Sequence, residues 1–171
     1  MKSDYLSWFQ KNEDFFETLF KEDSLIFNHL HDTIKVLNFI SNQEKVNEDL
    51  EVFYEIGFPY LFNKVNDIKY YVENYFNNNL SKFLKYEILI NYTLYLDDLI
   101  DSLTEKKLFD NNIKIELSKI NEEIDDILRN KKKFDNDLIN KYDLVIQSLI
   151  PNTQILTIPE IFHRAAEELR L

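Results

Sequence analysis

Residues 81–107, SKFLKYEILINYTLYLDDLIDSLTEKK, decide the fold. Apolar side chains recur at Ile88, Leu89, Tyr92, Leu96, Leu99, Ile100 and Leu103. A helix advances about 100° per residue, so these positions gather into one stripe. The alternation that a half-buried strand needs is missing. The spacing predicts a long amphipathic helix over 81–107, with its acids on the outer side.

The same rhythm extends outward from this segment. Toward the N-terminus, Leu61, Val65, Ile68, Val72 and Phe76 form a seam that predicts a helix over 59–77, ended by the asparagines 77–79. A shorter helix over 44–56 is expected to stop before Gly57 and Pro59, because glycine and proline are the poorest interior helix formers. Ile26, Leu30, Ile34 and Leu37 share a face of a helix capped by Ser24 and reaching about Ile40. Tyr5, Trp8, Phe9, Phe16, Leu19 and Phe20 stripe the first segment, 4–20, which Asn12 is placed to interrupt. Toward the C-terminus, Ile113 to Leu128 predict a helix over 112–129, after a turn at 109–112. Beyond the charged loop 130–136, a helix over 135–149 ends at Pro151, and Thr157-Ile158-Pro159-Glu160 has the spacing of a capping box opening the last helix. The only strand candidate is 155–158. The expectation is an all-α, compact single-domain bundle of eight or nine amphipathic helices spanning 1–171.

Composition then removes several kinds of chemistry. There is no cysteine, hence no thiol nucleophile, thiolate zinc site or disulfide framework. The single glycine leaves no phosphate-cradling loop, no dinucleotide fingerprint and no nucleophile elbow. Nothing marks an activated serine, and no glycine is at hand to shape an oxyanion hole. The N-terminal MKSDYLSWFQKNEDFF carries acids and no long apolar run, so it does not read as a secretory signal, and no apolar stretch suits a membrane span. A cytoplasmic protein is expected.

Net charge is −11, and residues 1–56 hold 12 acids against 5 bases. Such a surface repels nucleic-acid backbones and complements a basic protein. Arginines number only three, Arg129, Arg164 and Arg170, which speaks against phosphoryl chemistry built on guanidinium forks. Lys131–Lys133 read as a solvated turn. His29 and His31 stand about 200° apart on their helix and cannot share a metal from one face. His31-Asp32 and His163 lack the further ligands that a histidine–aspartate phosphohydrolase needs.

Asp97, Asp98 and Asp101 lie about 100°, 200° and 140° from Leu96, which reads as a solvated helix face. Their DDxxD spacing resembles the diphosphate-binding motif of all-α isoprenoid synthases, enzymes far longer than this chain. Asp98-x-x-Asp101 with Glu122-x-x-Asp125 resembles the ExxE…ExxD pattern of all-α nucleoside triphosphate pyrophosphohydrolases. That resemblance implies Mg²⁺ held by Asp98, Asp101, Glu122 and Asp125, with aspartates where the family's first pair has glutamates. Without it no metal, cofactor or catalytic residue is expected.

On the 59–77 helix, Tyr70 falls opposite the seam, beside Asp67 and Glu73. An aromatic flanked by acids on an outward face suits a protein interface. The overall profile resembles that of bacterial immunity proteins for contact-delivered toxins. That resemblance implies a stoichiometric inhibitor, not an enzyme, that neutralises a basic toxin domain, foremost a nuclease. Asp67, Tyr70, Glu73, Asp97, Asp98 and Asp101 are the expected partner-binding residues. The pyrophosphohydrolase and an acidic DNA mimic aimed at a host defence enzyme stand as alternatives.

Overall fold

The computed structural model describes residues 2–107, 111–150 and 156–171. These residues form nine helices and no strand: α1 (Lys2–Lys11), α2 (Glu13–Lys21), α3 (Leu25–Ser41), α4 (Glu48–Phe76), α5 (Leu80–Leu84), α6 (Glu87–Glu105), α7 (Asn111–Asn130), α8 (Asn136–Leu149) and α9 (Ile158–Glu168). The protein is all-α, and no described helix is long and apolar enough to cross a membrane. Pro151 and part of the turn expected at 109–112 lie outside the described residues; Asn111 and Asn112 are already helical. In the strand candidate, Ile155 is likewise outside them, residues 156–157 are irregular and Ile158 opens α9. The chain divides into two compact units, Met1–Ile88 with Ile158–Leu171, and Leu89–Thr157.

In the first unit α3 is the centre, with α1, α2, α4 and α9 packed against it. Its Leu30, Val36 and Leu37 are fully buried. Ser24 caps it as expected: the hydroxyl accepts from the backbone N–H groups of Ile26 and Phe27 at 3.2 and 3.3 Å, and donates to Glu87 Oε2 at 2.8 Å. Asn12 does break the first segment, and its side-chain amide donates to Trp8 O at 2.8 Å. The break folds α1 back on α2, stacking Phe9 on Phe16 with ring centroids 5.3 Å apart. Tyr5 lies edge-on to Phe58 and Tyr54, and its hydroxyl donates to Asn38 Oδ1 at 2.8 Å.

Two expected boundaries are corrected. The helices over 44–56 and 59–77 are one helix, α4, which runs through Gly57 and Pro59. An interior proline costs about 3 kcal/mol. Tyr54, Tyr60 and Leu61, on both sides of it, are buried. Each buried large apolar side chain contributes about 1.5–3 kcal/mol, so burial outweighs the local penalty. Gly57 serves packing rather than termination: the ring of Phe162 from α9 fills the space above it.

Conversely, the helix expected over 81–107 is two, α5 and α6, joined by a turn at Lys85-Tyr86. Asn79 caps α5, accepting from Lys82 N at 3.1 Å. The turn lets both Phe83 and Tyr86 reach Phe76, at centroid distances of 5.8 and 5.5 Å.

The second unit holds α7, α8 and the rest of α6. Leu117, Ile120, Ile124, Ile127 and Leu128 form the buried stripe of α7, and Ile139, Tyr142 and Ile146 that of α8. Asp135 caps α8, accepting from Leu138 N at 3.1 Å. α6 is buried on two sides. Leu89, Leu96, Leu99 and Leu103 line one, while Ile90, Leu94 and Asp98 recur every fourth residue on the other.

Candidate partner-binding face

The outer side of α4 carries the residues of interest. Its inner side is anchored first: Leu61, Val65 and Ile68 are fully buried. Lys64, itself buried, lies 5.5 Å from the Tyr60 ring centroid. Lys69 donates to Asn12 Oδ1 and lies 5.3 Å from the Phe15 ring, tying α4 to the α1–α2 corner. With the inner face held, the angular position of every outward residue is set.

Tyr70 is 57% exposed, and Asp67 and Glu73 flank it in solvent. Tyr70 belongs to a cluster of tyrosine rings. Its centroid lies 6.3 Å from those of Tyr71 and Tyr75, which are 5.1 Å from each other. Such edge and tilted contacts restrict the rings before any partner arrives, which lowers the ordering entropy of binding. Asn74 Nδ2 donates to Tyr70 O at 3.0 Å, and Asn77 closes the helix in the left-handed conformation, φ 50°. Asn78 N then reaches Val72 O at 2.9 Å, satisfying a terminal carbonyl. The sequence pattern located Tyr70, Asp67 and Glu73 on this face; it did not single out Tyr71 and Tyr75. The run Tyr70-Tyr71 with Tyr75 five residues on was the available signal.

The aspartates of α6 belong to the second unit and divide among themselves. Asp97 is exposed and accepts from Asn121 Nδ2 at 3.3 Å, linking α6 to α7. Asp101 is exposed. Asp98 is 6% exposed, which corrects its place on a solvated face. The wheel centred on Leu96 averaged over one stripe; Leu94 and Ile90, one and two turns before Asp98, mark the second buried line. Among the described residues no three acids or histidines gather closely enough to hold a metal ion, so Asp98, Asp101, Glu122 and Asp125 are not brought together as a site. Asp125 instead accepts from Arg129 Nε at 2.6 Å.

The three histidines and the basic loop after α7 have local partners. His29 Nε2 is 3.1 Å from the Tyr60 hydroxyl, and His31 lies 5.0 Å from the Phe27 ring centroid, where burial and then Lys35 lower its pKa. His163 on α9 stands 2.8 Å from Asp32 on α3 and 3.2 Å from Glu167, and its pKa is raised, by Asp32 foremost. Lys131 donates to Leu128 O at 2.7 Å and Lys132 pairs with Asp126, holding that carboxyl below its usual range, so this basic loop is spent locally on the end of α7. A polar group the sequence did not flag lies in the second unit. The Tyr92 hydroxyl donates to Asp143 Oδ1, and its ring centroid is 6.2 Å from that of fully buried Tyr142. No protein-family model, no curated protein and no solved structure matches the chain.

Proposed function

We propose that the chain is a stoichiometric, immunity-type inhibitor that neutralises a basic toxin domain, foremost a nuclease, by covering its active-site cleft with an acidic surface. The observation that carries this reading is Tyr70: a large aromatic left 57% exposed, braced by two further tyrosines and flanked by Asp67 and Glu73. Tyrosine is enriched among the few residues that dominate interface energies. A net charge of −11 steers a cationic partner into encounter, and the aromatic anchor then slows release. The reading assigns no catalytic residue and no cofactor, and it places the protein in the cytoplasm, where the partner's substrate would need protection.

The test is capture of partners from the native host on the immobilised chain at low and high salt, followed by activity assays of what is captured. The expected result is one basic protein, released by salt, whose nuclease activity disappears at one-to-one addition of the chain. Tyr70→Ala should weaken that capture at least tenfold. A captured protein that stays fully active with excess chain, or that binds Tyr70→Ala equally well, would overturn the reading.

A further inference from the structure

Tyr70 is one end of a longer feature. The outward positions of α4 are Val52, Ile56, Pro59, Asn63, Asn66 and Tyr70, all exposed. Their spacing is 4-3-4-3-4, the alternation of the seam positions in a two-helix coiled coil. Val52 and Tyr70 share one azimuth about five helical turns, or 27 Å, apart. Val52, Ile56 and Tyr70 are 52%, 41% and 57% exposed, and Phe62 at the edge of the seam is 42% exposed. Asn63 and Asn66 interrupt the apolar positions, as a polar seam residue does where one register is to be selected.

The flanks give the sign of the occupant. Glu48, Asp49, Glu55, Asp67 and Glu73 stand exposed beside the seam. The helix has only two basic residues, and both are turned to other work: Lys64 is buried against Tyr60 and Lys69 bonds Asn12. An acid-flanked 4-3 seam is complementary to a helix with apolar residues at the same spacing and lysine or arginine beside them.

We infer that the outward face of α4, from Val52 to Tyr70, is a docking seam for a basic amphipathic helix of the partner protein. This rests on the inhibitor reading and extends it from a tyrosine anchor to a register-specific, helix-on-helix contact.

The probe is a fluorescent 21-residue peptide with leucines at 4-3 spacing and lysines on both flanks, titrated into the full chain by anisotropy. The control peptide has the same composition with the leucines moved off that spacing. The spaced peptide should bind at least tenfold tighter than the control. The exposed double variant Val52→Asp/Ile56→Asp, its helicity checked by circular dichroism, should bind the spaced peptide at least tenfold more weakly. Both substitutions add negative charge, so bare attraction to lysine would move affinity the other way. Equal binding of the two peptides, no binding, or undiminished binding by the double variant overturns the seam. The partner capture described above separates the two ideas. If Tyr70→Ala loses the captured inhibitor target while Val52→Asp/Ile56→Asp keeps it, the seam fails and the inhibitor reading stands. If neither variant changes capture, both fail.

Discussion

A β-carbon placed on Gly57 of α4 would stand 2.6 Å from Cζ of Phe162 on α9, and 3.0 Å from Cδ2 of Leu37 on α3. Three helices of the first unit therefore meet at a point with no room for a methyl group. Alanine would improve local helix propensity by about 1 kcal/mol. It would also force the fully buried Phe162 ring to move, and overpacking of this kind costs about 1–3 kcal/mol. Gly57→Ala should therefore lower stability by about 1 kcal/mol on balance. Phe162→Leu, which removes the obstructing ring edge, should make the alanine less harmful. Urea melts of the two single variants and the double measure that coupling; simple additivity would contradict it.

Asp98 and Asp101 are three residues apart on α6 and should respond differently. Asp98 is buried and engaged by its surroundings, while Asp101 is in solvent. Asp98→Ala should destabilise by about 1–3 kcal/mol, because it empties a buried position and strands whatever its carboxylate contacts. Asp101→Ala should change stability by less than about 0.5 kcal/mol. Thermal melts of the pair decide this, and equal effects would return Asp98 to the surface.

Tyr92 donates its phenolic proton to Asp143, joining α6 to α8. Tyr92→Phe keeps the ring and deletes the hydroxyl, so the loss should be that of a hydrogen bond to a charged acceptor, about 1.5–3 kcal/mol. Burial, followed by Asp143, pushes the Tyr92 phenol well above its ordinary value of 10.0, and burial pushes that of Tyr142 up to about 12. A raised folded pKa stabilises the protonated form. The contribution is whole below the unfolded value, near pH 10, and drains as pH climbs through the folded one. Alkaline titration followed at 295 nm should show late, cooperative ionisation coincident with loss of helix, and the stability gap between Tyr92→Phe and the parent should be full below about pH 10 and close as pH rises above it.

His163 of α9 faces Asp32 and its own neighbour Glu167, while Lys35 on α3 also reaches Asp32, at 3.5 Å. Asp32 foremost raises the imidazole pKa above 6.5. The stabilisation is complete below that unfolded value and disappears as pH rises through the higher folded one. The melting temperature of His163→Gln should therefore fall short of the parent's at about pH 5.5 and approach it at about pH 9. A gap that is constant across this range would show that the contact is not an ion pair.

Much of the architecture was readable locally. Ser24, Asn12 and Asn77 act where backbone donors and acceptors run out, and their short side chains announce this in any sequence. The two misplaced boundaries have tertiary causes. Gly57 looked like a stop because its partner, Phe162, is more than a hundred residues away. The turn at Lys85-Tyr86 falls where Phe83 and Tyr86 both pack on Phe76, which lies on α4. The exposure of Tyr70 was legible because its position on α4 falls opposite the apolar seam. The burial of Asp98 was less so, since one helical wheel reports the strongest stripe and hides a second.

The first unit is also discontinuous in sequence: α9 belongs with α3 and α4, although residues 89–157 intervene. During synthesis, domains fold as units as they emerge, N-terminal ones first. Here Leu37 and Gly57 wait, with their apolar surfaces open, for Phe162 to be translated. The contiguous stretch Leu89–Thr157 can condense earlier. Birth of the chain on the ribosome is thus inverted, with the segment begun second able to finish first, and a chain stalled before residue 158 would offer its unclosed α3–α4 surface to chaperones.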